Sequence, residues 1–120
     1  MDTEIATIPR SEMSKRVRIC AASEIKPGQP SKYEVEGEGA LAIYLVDERY
    51  YATSDVCTHS TASLSDDGEL DGHVIECTWH GGRFDIRTGA FLSMPCTVPL
   101  KTYEVTVEGG DIFVTLEQAV

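Results

Sequence analysis

Two short segments of this chain each carry one Cys and one His, and they constrain its fold more than any other feature. The first segment is CTH, from Cys57 to His59, and the second is CTWH, from Cys77 to His80. Thiolates and imidazoles are metal ligands, and four of them on two segments form a ligand set. We therefore expect a fold that brings two loops together at one metal centre.

The remaining sequence is typical of short β-strands separated by turns. Residues 100–117 (LKTYEVTVEGGDIFVTLE) alternate between apolar and polar side chains on both sides of Gly109 and Gly110, which predicts a hairpin. A second hairpin is predicted where residues 40–46 and 49–54 flank Asp47 and Glu48. Eight or more such strands predict an all-β fold, a small antiparallel β-sandwich or barrel.

The length of 120 residues suits one domain, and we expect residues 1–120 to form it, with a loose end over residues 1–14. No periodic pattern covers residues 55–72, so we predict a long loop there. Long loops in compact domains are usually functional. A loop around residues 93–100 (SMPCTVPL) is expected to pack near the two Cys/His segments.

The formal net charge is −10, which argues against a nucleic-acid partner and against an anionic membrane surface. The sequence contains no apolar run near the ~20 residues of a membrane helix and no signal peptide. These features predict a cytoplasmic protein whose cysteines are ligands or thiols rather than disulfides. The negative net charge also favours binding to basic protein surfaces.

Zinc and an iron–sulfur cluster are the two alternatives for the metal. Zinc accepts two Cys and two His, but its usual pattern pairs Cys with Cys and His with His. A [2Fe–2S] cluster with His in place of Cys on one iron fits better, because one loop can supply Cys to one iron and His to the other. Gly81 and Gly82 would let the second loop turn tightly beside it. A zinc-bound interaction module remains the alternative.

The chain resembles the Rieske family over residues 12–116, and most closely the small Rieske ferredoxins of bacterial aromatic-ring dioxygenase systems. The matching positions are Cys57, His59, Leu64, Gly68, Gly72, Cys77, His80, Gly81, Phe84, Asp85, Thr88, Gly89 and Pro95. The resemblance implies a Rieske-type fold with a two-loop cluster-binding region over residues 55–98. It also implies one [2Fe–2S] cluster, with Cys57 and Cys77 on the inner iron and His59 and His80 on the outer iron.

The same resemblance implies a function without catalysis. Such ferredoxins carry single electrons from a flavoprotein NAD(P)H reductase to a terminal ring-hydroxylating oxygenase, and we expect this chain to be a monomer that does so. The alternative within the family is the Rieske-like small subunit of a nitrite reductase, whose members often lack the four ligands.

The resemblance also predicts a low reduction potential. High-potential Rieske proteins have a disulfide between the cluster loops and two hydroxyl groups bonded to cluster sulfurs. The disulfide positions match Ala62 and Trp79, and the hydroxyl positions match Gly82 and Phe84, so all three features are missing. Thr78 stands where the family often has Pro, a departure expected to matter little.

Four further predictions concern residues outside the ligand set. His73 is expected to be a surface residue, Cys20 a core residue, and Cys96 a residue that binds no metal. The acidic residues Asp66, Asp67, Glu69 and Asp71 form a candidate docking patch beside the cluster loops.

Overall fold

Antiparallel strands make up most of this chain in the computed structural model, which describes residues 14–58, 62–78, 81–93 and 98–117. A 3₁₀ turn, Ala22–Glu24, and one α-helix, α1 (Leu64–Asp67), accompany the strands in these ranges. The strands are β1 (Ser14–Ala21), β2 (Ser31–Val35), β3 (Gly39–Val46), β4 (Arg49–Ser54), β5 (Gly68–Asp71), β6 (Val74–Cys77), β7 (Gly82–Asp85), β8 (Phe91–Ser93), β9 (Thr102–Glu108) and β10 (Asp111–Glu117).

The first and last parts of the chain form a six-stranded sheet in the order β1-β10-β9-β4-β3-β2. Both predicted hairpins are confirmed, since Val46 pairs with Arg49 and Glu108 pairs with Asp111 across two-residue turns. Asp47 and Glu48 adopt φ values of 53° and 66°, the left-handed conformation that such turns require. The core on this sheet contains Cys20, Ile25, Val35, Leu41, Ile43, Ala52, Ile112 and Val114.

The middle of the chain forms a four-stranded sheet in the order β5-β6-β7-β8. It lies between β4 and β9 in the sequence, and each strand pairs with the next in antiparallel register. A second core fills the space between this unit and β3 of the larger sheet, where Ala42 and Tyr44 contribute to it. The predicted all-β, antiparallel fold is therefore confirmed.

The prediction of a long loop over residues 55–72 is wrong, because this region contains α1 and β5. The helix is a single turn, too short to show helical periodicity, and Ser63 caps its N-terminus by accepting a hydrogen bond from the Asp66 N–H. β5 has only four residues and forms a hairpin with β6 across the two-residue turn at Gly72 and His73, a local signal that the prediction missed.

No helix in the described part of the chain is long and apolar enough to cross a membrane.

Gly89 is the glycine whose replacement we expect to be most costly. Its φ is +82°, and an added Cβ would lie 2.0 Å from the carbonyl oxygen of Leu100. Gly37 has a similar φ of +83° with nothing within 4 Å of the same position, so it is a matched control. We expect Gly37→Ala to lower the free energy of unfolding by about 1 kcal/mol and Gly89→Ala by about 2–4 kcal/mol, measured by denaturant unfolding. Equal losses would contradict the close approach of Leu100.

Candidate metal centre

Cys57 and Cys77 lie in the same apolar core, although twenty positions separate them in the sequence. Their exposed fractions are 2% and 1%. The other buried members of this core are Ala42, Tyr44, Ala62, Leu64, Ile75, Phe84, Ile86 and Leu100. The fold thus brings one thiol from each predicted loop into a common environment.

The first loop, residues 57–62, is closed at its base by backbone contacts. The N–H of Cys57 donates to the carbonyl of Ala62 at 3.0 Å, and Val56 forms a β-bridge with Ser63. Main-chain bonds therefore hold the two ends of this loop together, whether or not a metal is bound.

Asp55 fixes the base of the first loop, and sequence reasoning missed it. Its carboxylate is buried and accepts hydrogen bonds from Ser63 Oγ at 2.5 Å and from the Ser65 N–H at 2.8 Å. Its own N–H donates to the Ala40 carbonyl at 3.0 Å, which ties the loop to β3. The available signal was an acidic residue just after an apolar strand, two positions before Cys57.

The second loop, residues 77–82, closes in a similar way. Cys77 pairs with Gly82 across the ends of β6 and β7, and the Gly81 N–H donates to the Cys77 carbonyl at 2.8 Å. Gly81 adopts a φ of +80°, a conformation that favours glycine. The predicted tight turn at Gly81 and Gly82 is thus confirmed for Gly81, whereas Gly82 is the first residue of β7.

A third segment contacts both loops from the side. Ser93 Oγ donates to the Gly81 carbonyl at 3.2 Å, and Thr58 Oγ1 donates to the Val98 carbonyl at 2.9 Å. These contacts flank residues 94–97, so the ends of the proline-bearing segment lie beside the loops as expected.

Five of the residues singled out in the sequence lie outside the described ranges: His59, Trp79, His80, Pro95 and Cys96. Consistent with this, no group of three or more His, Cys, Asp or Glu within the described ranges could hold a metal ion. Cys57 and Cys77 are the part of the predicted ligand set that the structure describes.

Cys20 and His73 are the two other described cysteine and histidine residues with a prediction from the sequence. Cys20 is buried in the core of the six-stranded sheet, which confirms its prediction as a core residue. The His73 side chain is 22% exposed and packs edge-to-face on Tyr51, with ring centroids 5.6 Å apart. It lies in the β5–β6 turn with Nε2 4.0 Å from Asp47 Oδ2, so it is more buried than predicted.

The four acidic residues of the candidate docking patch differ in their contacts and exposure. Asp66 forms an ion pair with Lys32 at 2.8 Å, and this contact lowers the pKa of the Asp66 carboxyl. Asp67 accepts a hydrogen bond from the Ser63 N–H. Glu69 and Asp71 alternate with Gly68 and Leu70 on β5 and are exposed. Asp66 also remains exposed beside its ion pair, so Asp66, Glu69 and Asp71 are the exposed carboxylates of the candidate patch.

The surroundings of the two cysteines fit a metal cluster. Two thiolates in an apolar core need a cation to balance their charge, because burying an unpaired anion is very costly. Tight loops supply the thiols from two sides, and a glycine in the left-handed conformation keeps the second loop compact. Two thiols on such a pair of loops are compatible with either a zinc ion or an iron–sulfur cluster.

Comparisons with known proteins specify the family. The sequence model of the Rieske [2Fe–2S] domain matches residues 15–104. The ferredoxin component of the p-cumate 2,3-dioxygenase system of Pseudomonas putida is 48% identical over 103 residues, covering 86% of this chain and 87% of that protein.

Solved structures agree with this assignment. The ferredoxin of Sphingomonas yanoikuyae B1 matches with a TM-score of 0.78 and 44% identity, covering 88% of this chain and 100% of that one. A complex of reduced oxygenase and oxidized ferredoxin in carbazole 1,9a-dioxygenase matches with a TM-score of 0.79 and 47% identity, covering 88% of this chain and 96% of the matched chain. The chain belongs to the Rieske [2Fe–2S] domain family, and its cofactor is one Rieske-type [2Fe–2S] cluster.

Proposed function

We propose that this protein is a Rieske ferredoxin that carries single electrons to the terminal oxygenase of an aromatic-ring dioxygenase system. The observation that carries the proposal is the pair of buried thiols, Cys57 and Cys77, on two closed loops of a Rieske domain. Relatives such as the p-cumate protein are named as ferredoxin components, which makes them electron-transfer partners of an enzyme rather than catalysts.

We propose Cys57, His59, Cys77 and His80 as the ligands of the cluster. When bound, the cluster accepts and releases one electron at a time. Cys57 and Cys77 supply the two anionic ligands from within the core, where the loop bases hold them in place. His59 and His80 lie two and three positions further along each loop and would supply the two neutral ligands.

The partners follow from the relatives and from the charge of the chain. The complex of an oxygenase with a ferredoxin in carbazole 1,9a-dioxygenase supports a terminal oxygenase as the electron acceptor. A flavoprotein NAD(P)H reductase is the proposed donor, and the net charge of −10 suits docking to basic protein surfaces. We also propose that the protein acts as a monomer in the cytoplasm, where unpaired thiols remain available as ligands.

The proposed ligand set predicts two irons and two sulfides per chain. We expect His59→Ala and His80→Ala each to abolish the characteristic visible and EPR spectra of the reduced cluster. His73→Ala is the control, because His73 is not one of the proposed ligands and packs on Tyr51, so its loss should leave both spectra unchanged. One zinc ion and no sulfide would instead support the interaction module.

The exposed carboxylates on β5 predict an electrostatic contribution to docking. Charges on the surface are screened over about 8 Å at physiological ionic strength, so reduction by the flavoprotein should slow as salt rises. We expect Glu69→Gln with Asp71→Asn to weaken this salt dependence. The control is Glu36→Gln with Glu104→Gln, which removes the same charge from exposed positions in the β2–β3 turn and on β9. The rates are measured by stopped flow. Equal salt dependence of the reduction rate in both double variants would contradict steering by β5.

The missing hydroxyl groups predict a midpoint potential near the low end of the Rieske range, about −150 mV. Phe84 is fully buried in the core that contains Cys57 and Cys77, and Gly82 pairs with Cys77. Hydrogen bonds to cluster sulfurs stabilise the reduced form. We therefore expect Gly82→Ser and Phe84→Tyr to raise the midpoint measured by protein-film voltammetry. A clearly positive midpoint for the unmodified protein would contradict this prediction.

A further inference from the structure

Thr78 follows Cys77 directly and connects the second loop to the helix that follows the first. Its Oγ1 donates a hydrogen bond to the carbonyl of Asp67 at 2.5 Å, and its N–H donates to the same oxygen at 3.3 Å. Asp67 is the last residue of α1. Thr78, next to Cys77, is therefore bonded to α1, the helix that follows the loop of Cys57.

The helix between Thr78 and the first loop is short and firmly held. The N–H of Asp67 donates to the carbonyl of Ser63 at 2.6 Å, and Ser63 is in turn bonded to the buried carboxylate of Asp55. A single helical turn thus separates the base of the first loop from the oxygen that Thr78 binds. Little freedom remains for the two loops to move apart along this path.

Gly68 adds to this rigidity. It pairs with Cys77, and a Cβ at its position would lie 2.4 Å from the Leu64 carbonyl oxygen and 3.0 Å from the Glu76 carbonyl oxygen. The main chain after α1 is therefore in close contact with both the helix and β6. Thr78 forms the last link in a continuous series of contacts from Asp55 to Cys77.

We propose that Thr78 is a positioning residue, which sets the placement of the second cluster loop relative to the first through its bonds to Asp67. A proline at this position has neither an N–H nor a hydroxyl group and could make neither bond. This role differs from the expectation that Thr78 matters little. The inference rests on the proposed function, since its consequence is the retention and geometry of the cluster.

The test compares Thr78→Val with Thr78→Ser in the cluster-loaded protein. Valine keeps the shape and the N–H but removes the hydroxyl donor, whereas serine restores the donor. We expect Thr78→Val to release its cluster to a chelator roughly two- to ten-fold faster, the range that one hydrogen bond implies, and to shift the EPR g-values of the reduced cluster. Thr78→Ser should return both properties close to those of the unmodified protein.

Thr106→Val is the matched control, because Thr106 lies on β9 in the six-stranded sheet and should change neither property. If Thr78→Val does not fold, Thr78→Ala takes its place in the same comparison. Equal release rates and spectra for the unmodified protein and the valine variant would overturn the role of Thr78, as would a serine variant that fails to restore them. An unmodified protein without iron and sulfide would overturn the proposed function itself.

Discussion

The burial of two thiols from separate loops in one apolar core is the constraint on which the rest of this structure depends. Cys57 and Cys77 are almost inaccessible to solvent, and anionic ligands at such positions are stable only with a metal beside them. Both thiols must therefore be held at fixed positions, which requires contacts at the base of each loop. Main-chain bonds from Cys57 to Ala62 and from Gly81 to Cys77 provide that shape.

Each of the two sheets holds one of the two loops. The six-stranded sheet has its own core and supplies a stable platform, to which Asp55 ties the first loop through Ala40. The four-stranded sheet carries the second loop between β6 and β7. A carrier of single electrons needs a rigid ligand geometry more than a substrate pocket, because little rearrangement then accompanies electron transfer. The hydrogen bonds of Asp55 and Thr78 serve that rigidity.

Charged groups have different surroundings in the interior and at the surface of this protein. Near the two cysteines, the buried carboxylate of Asp55 accepts hydrogen bonds from Ser63 and Ser65. At the surface, cations such as Lys32 neutralise some carboxylates, while Glu69 and Asp71 on β5 remain exposed. The excess negative charge thus lies where it can attract a basic partner without the cost of burial.

The sequence by itself determined the all-β class, the hairpins at Asp47–Glu48 and Gly109–Gly110, and the family, because alternation, turn residues and Cys/His spacing are local signals. It did not predict α1, β5, the buried Asp55 or the bonds of Thr78. A one-turn helix is too short to have a pattern of its own, whereas β5 belongs to a hairpin with β6 whose Asp71–Gly72 turn signal was overlooked. The environment of Asp55 and the distance from Thr78 to Asp67 depend on segments that are remote in sequence, so only the tertiary structure decided them.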